Sequence, residues 1–85
     1  MKKIEVTVRS ADGSIKHEFD GSTPVGQVKQ FAFDRIKPSG ISLSATFLTF
    51  GGVRVKNESD TVSKFAGGEE HDEVLFVLTW ENIAG

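Results

Sequence analysis

The sequence predicts an α+β fold, a mixed sheet of about five strands packed on one helix. Three observations predict it. Ile4, Val6 and Val8 alternate with Lys3, Glu5, Thr7 and Arg9, the period of a half-buried strand. Val25, Val28, Ala32 and Ile36 recur at spacings of three and four, one face of a helix. Residues 74–78 are continuously apolar, which reads as a strand buried on one face and half-covered on the other. The 85 residues suit one domain. Residues 1–80 are expected to form the folded body and 81–85 a flexible C-terminal tail.

Taken in order, the first strand leads into Ala11-Asp12-Gly13-Ser14, where Asp-Gly is a strong hairpin signal. Ile15, His17 and Phe19 then alternate with Lys16 and Glu18, so residues 3–19 read as an antiparallel hairpin with one apolar face. His17 falls on the inward face and reads as a sheet-edge histidine rather than a ligand, because no second ligand sits at metal spacing. Thr23 suits a helix N-cap and Pro24 the first helical position. Phe31 and Phe33 widen the helix face at its edges, and Pro38 stops the helix. Residues 39–45 read as a loop.

Thr46–Phe50 is predicted as a third strand, with Leu48 and Phe50 on one face and Phe47 and Thr49 on the other. Gly51-Gly52 is a turn and lacks the spacing of a phosphate loop. Residues 53–55 form a short fourth strand, 56–60 a polar loop, and 61–65 one helical turn with Val62 and Phe65 facing inward. Residues 67–73 read as an acidic loop. Its Glu69, Glu70, His71, Asp72 and Glu73 lack calcium-loop spacing and are taken as solvated, so no metal is expected.

Composition narrows the function classes. Without cysteine there is no disulfide, thiolate zinc site or thiol nucleophile. A net charge of −2 argues against a nucleic-acid partner. Glu5, Arg9 and Asp12 break up any secretory apolar segment after Met1-Lys2-Lys3. No window approaches the roughly 20 apolar residues of a membrane span. A cytoplasmic, monomeric protein without membrane contact is expected. Ser63, His71 and Asp72 have no order or context that suggests a triad, so an enzyme is not expected.

The strand before the helix and the one after it cannot form a tight hairpin, so the helix crosses the sheet. The last strand, apolar on both faces, belongs at the centre. That is the β-grasp arrangement. Several stretches then resemble ubiquitin. Ser14-Ile15-Lys16-His17-Glu18-Phe19 through Val25-Gly26-Gln27-Val28-Lys29 is similar to its second strand and helix start. Phe50-Gly51-Gly52 resembles the turn after its third strand, and Thr61-Val62-Ser63-Lys64-Phe65 resembles its short helical turn. Residues 75–85 are similar to its last strand and tail. The likeness spans nearly the whole chain, with small insertions in the 56–60 and 67–73 loops.

The resemblance implies a ubiquitin-like protein modifier with Gly85 as the conjugation residue. An ATP-using activating enzyme, a conjugating enzyme, a deconjugating protease and target proteins are the implied partners. The chain itself would bind no cofactor. Trp80, Glu81, Asn82, Ile83 and Ala84 are the positions the activating enzyme would read. The tail departs from the family, ending in Ala-Gly where Gly-Gly is usual and carrying Glu81 and Ile83 where arginines are usual. Dedicated cognate enzymes are therefore implied, as for bacterial ubiquitin-like proteins encoded beside their own conjugation enzymes.

If Phe76 and Leu78 point into the core, Leu75, Val77 and Thr79 point out, as do Phe47 and Thr49 on the neighbouring strand. These five are expected to form a partner-binding patch on the sheet. The resemblance puts Thr49 and Thr79 where ubiquitin has its main aliphatic pair. Two other readings stay open: a sulfur carrier receiving a C-terminal thiocarboxylate, and a noncovalent interaction module.

Overall fold

Alternation and turn chemistry build the first hairpin. The structure, a computed structural model, describes residues 3–66 and 73–80. Strand β1 spans Lys3–Ser10 and β2 spans Gly13–Asp20. They pair antiparallel from Lys3↔Asp20 to Ser10↔Gly13. Ser10 holds the turn: its hydroxyl donates to the Gly13 carbonyl at 2.9 Å and accepts the Asp12 N–H at 3.1 Å. Gly13 has a φ of 147°, a conformation open to glycine but not to side-chain-bearing residues.

Helix α1, Val25–Ile36, buries Val25, Val28 and Ala32 on the predicted face. Its start differs from expectation. Pro24, extended at φ −66° and ψ 145°, occupies the cap position, and no side chain caps the helix. Thr23 is not needed there because the chain brings other acceptors to the free N–H groups. The Val25 N–H donates to the Asp60 carbonyl at 2.8 Å and the Gly26 N–H to the Glu58 carbonyl at 2.9 Å. In return the Val62 N–H donates to the Thr23 carbonyl at 2.9 Å. A Cβ on Gly26 would lie 3.2 Å from the Glu58 Cβ, so this close backbone approach explains a glycine in the first turn. The helix ends with Lys37 in the left-handed region, φ 52°, immediately before Pro38.

The loop expected over 39–45 contains a 3-10 turn, Leu43–Ala45, closed where the Thr46 hydroxyl donates to the Leu43 carbonyl at 2.6 Å. Strand β3, Thr46–Phe50, has the predicted bounds. Gly51 and Gly52, at φ 60° and 85°, turn the chain into β4, Val53–Arg54. Val55, expected in that strand, lies beyond it, yet it is buried and donates its N–H to the Leu48 carbonyl at 2.9 Å. Helix α2, Val62–Phe65, buries Val62 and sets Phe65 edge-on to Phe50 and Phe76. Strand β5, Glu73–Trp80, begins one residue earlier than expected, taking Glu73 out of the acidic loop. Pairing explains this, because Glu73 sits in register with Glu5.

The sheet order is β2-β1-β5-β3-β4. As expected, β5 is central. It runs parallel to β1 and antiparallel to β3. Ile4, Val6, Val8, Leu48, Val74, Phe76 and Leu78 from the sheet pack with Val25, Val28 and Ala32 from α1. This is the β-grasp arrangement. His17 shares its register with Val6 on the helix side, as predicted, but remains exposed, its ring 4.4 Å from Phe31 and 4.9 Å from Phe19. Among the described residues no helix is long and apolar enough to cross a membrane. Residues 69–72 of the acidic run and 81–85 of the tail lie outside the described residues.

Candidate functional site

Strand parity creates the candidate surface. In β5 the residues Val74, Phe76 and Leu78 are buried, so Leu75, Val77 and Thr79 face away from the helix. Leu75 is 44% exposed and Val77 41%, more open than the half-covered face expected of this strand. Antiparallel pairing sets Thr49 opposite Val77 and Phe47 opposite Thr79. The five residues predicted as a patch therefore lie on one sheet face.

Pairing also brings cations to this patch. Arg9 is in register with Val77 from β1, and Arg54 with Thr49 from β4. One row across the sheet thus reads Arg9, Val77, Thr49, Arg54. The Arg54 guanidinium lies over the Phe47 ring, 4.2 Å from its centroid, which half-buries Phe47. Arg9 and Arg54 are absent from the sequence-based patch. Their signal was present in part: Arg9 alternates outward with Thr7. The placement of Arg54 needed the β3–β4 register.

Trp80 ends β5 and by parity falls on the helix side, with Val74, Phe76 and Leu78. It is half-buried and pairs with Thr46 at the start of β3. A shallow groove runs between Arg9, Ser10 and Ala11 on one side and Val77, Thr79 and Trp80 on the other. Of the positions expected to be read by an activating enzyme, Trp80 is placed in the sheet. Glu81, Asn82, Ile83, Ala84 and the conjugation residue Gly85 lie outside the described residues.

On the helix side, one lysine is set apart from the others. The Lys29 ammonium lies 2.7 Å from the Glu58 carboxylate and donates to the Thr46 carbonyl at 3.3 Å, with its side chain only 12% exposed. It ties α1 to β3 and to the 56–60 loop. Lys3, Lys16 and Lys64, by contrast, form ion pairs with side chains at least 60% exposed. Among the described residues no cluster of acidic, histidine or cysteine side chains fits a metal ion.

No family profile matches the sequence, and no curated protein matches it. Solved structures do match. A ubiquitin from Caldiarchaeum subterraneum superposes with a TM-score of 0.74 at 21% identity, covering 99% of this chain and 100% of its own. The ubiquitin-like domain of an Arabidopsis thaliana protein gives 0.71 at 18% identity, over 100% of this chain and 84% of its own. A second structure of the same plant protein gives 0.68 at 16% identity, over 98% and 92%. At these identities the likeness establishes a fold.

Proposed function

From a chain with the ubiquitin-like β-grasp fold, we propose a protein modifier that is attached to other proteins through Gly85. The observation that carries this reading is the end-to-end match to an archaeal ubiquitin, with 99% of one chain aligned to 100% of the other. In the proposed reaction the Gly85 carboxylate attacks the α-phosphate of ATP on an activating enzyme, releasing pyrophosphate. An enzyme thiolate then displaces AMP to give a thioester. After transfer to a conjugating enzyme, an amine of the target displaces the thiol and forms the amide. A deconjugating protease would hydrolyse that bond. Glycine suits each displacement because no side chain crowds its carbonyl.

Support for a partner surface comes from Leu75 and Val77 standing open, with Arg9 and Arg54 at the two ends of the row through Val77, an arrangement suited to an apolar partner with an acidic rim. The departures in the tail, Glu81 and Ile83 among them, favour dedicated enzymes, and the proposed setting is a cytoplasmic pathway of the bacterial ubiquitin-like kind.

The test compares an N-terminally tagged chain with a Gly85-deleted copy in the native host. Higher-mass adducts that survive reducing denaturation and vanish on deletion are expected. One identical band from both copies overturns the reading. If intact mass instead finds about 16 Da added, sulfur has replaced oxygen and the chain is a sulfur carrier. If partner binding survives the deletion with no adduct, it is a noncovalent module.

A further inference from the structure

Strand β2 closes one side of the sheet, with no strand beyond it among the described residues. It is eight residues long, whereas the opposite edge, β4, has only two. A long open edge is a template for another strand, and a short one is not. In an antiparallel pair, residues alternately bond to the neighbour and turn away from it. Ser10↔Gly13 closes the two-residue turn, so Gly13, Ile15, His17 and Phe19 bond to β1. Ser14, Lys16, Glu18 and Asp20 therefore turn their backbone groups to the open edge.

The side chains of β2 are self-complementary. Backbone pairing between two copies must set an even-numbered residue opposite an even-numbered one. A two-fold axis at Lys16 would set Lys16 against itself, and one at Glu18 would set Glu18 against itself. An axis at His17 sets Lys16 opposite Glu18 of the second copy twice over, and Ser14 opposite Asp20. On the helix side the same register sets His17 opposite itself and Ile15 opposite Phe19. It also brings together the two margins where His17, Phe19 and Phe31 cluster at ring separations of 4.4 to 5.3 Å.

The charges of the sheet favour this register too. Glu5 lies opposite Glu18 on one side and Glu73 on the other, a row of three carboxylates. Lys16 reaches the middle one, its ammonium 3.7 Å from Glu5. Like charges directly opposite one another are unfavourable. A Lys16 arriving from a second copy would place a cation at Glu18, the outer end of that row.

We propose that β2 pairs antiparallel with β2 of a second copy, about a two-fold axis through His17, to give one continuous sheet. The opposite charges of Lys16 and Glu18, placed symmetrically about His17, are what select a second copy over an unrelated strand. The proposed dimer replaces the monomer expected from sequence. It leaves Leu75 and Val77 open and is independent of conjugation through Gly85.

Sedimentation equilibrium of the whole chain, from micromolar to millimolar, tests it. A concentration-dependent dimer is expected. Lys16→Glu or Glu18→Lys should each weaken it by about tenfold or more, since each creates two like-charge contacts. The swap Lys16→Glu/Glu18→Lys should restore it, because the opposed pairs are again complementary. Hydrogen exchange supplies a readout that needs no substitution. The amides of Lys16 and Glu18 should gain protection as concentration rises, and those of Ile15 and His17 should not. A chain monomeric throughout, a dimer indifferent to both reversals, or a folded swap variant that stays monomeric overturns the proposal.

Discussion

The two faces of β5 are both apolar over residues 74–78 and opposite in fate. Val74, Phe76 and Leu78 are buried to 4% exposure or less, while Leu75 and Val77, interleaved with them, are more than 40% exposed. What differs is the covering. One face meets α1 and α2; the other has no layer among the described residues. Apolar character therefore does not report burial here. It reports burial on one face and an available contact surface on the other.

The sharpest break of this comparison is at Phe76, which packs against Phe50 and Phe65 and has no exposed surface. Phe76→Ala should cost about 3–5 kcal/mol, read from urea unfolding, because it leaves a cavity that the sheet and helix close only in part. Val77→Ala, one residue on, should stay within about 1 kcal/mol. Equal losses at the two positions would mean that the outer face is covered in solution.

A second contrast separates two ion pairs. Lys29 is nearly enclosed between Glu58 and Thr46, and Lys64 stands 63% exposed beside Asp60. Lys29→Ala leaves a carboxylate and a carbonyl without their donor and should cost about 1–3 kcal/mol. Lys64→Ala should cost less than about 1 kcal/mol, and high salt should shrink it further. The smallest effect concerns the outer face itself. Arg54→Ala should lower stability by about 0.5–1 kcal/mol through loss of its stacking on Phe47. A double-mutant cycle with Phe47→Leu isolates that contact, and a coupling of zero would show the stacking to be energetically idle.

Much of this was legible in the residues. Period two in 4–8 and 15–19, the hairpin signal at 11–14, the glycine pair at 51–52 and the apolar run at 74–78 gave the strands, the turns and the central place of β5. Each is a local signal, set by side-chain alternation or by a backbone conformation that few residues adopt. The outward parity of Phe47, Thr49, Leu75, Val77 and Thr79 followed from the same alternation.

What tertiary structure decided was every pairing between groups distant in sequence. Thr23 is a sound N-cap by composition, but the carbonyls of Glu58 and Asp60 reach the start of α1 and make a side-chain cap unnecessary. The parallel register of β1 and β5 put Arg9 beside Val77, and the β3–β4 register put Arg54 within reach of Phe47. It also ranged Glu18, Glu5 and Glu73 in one row. The sequence by itself determined which residues alternate and where the chain turns, because these depend on neighbours one to four positions away. Beyond the hairpin, the register in which strands meet, and beside which charges, depends on closing long loops over a shared core. That choice belongs to the fold as a whole.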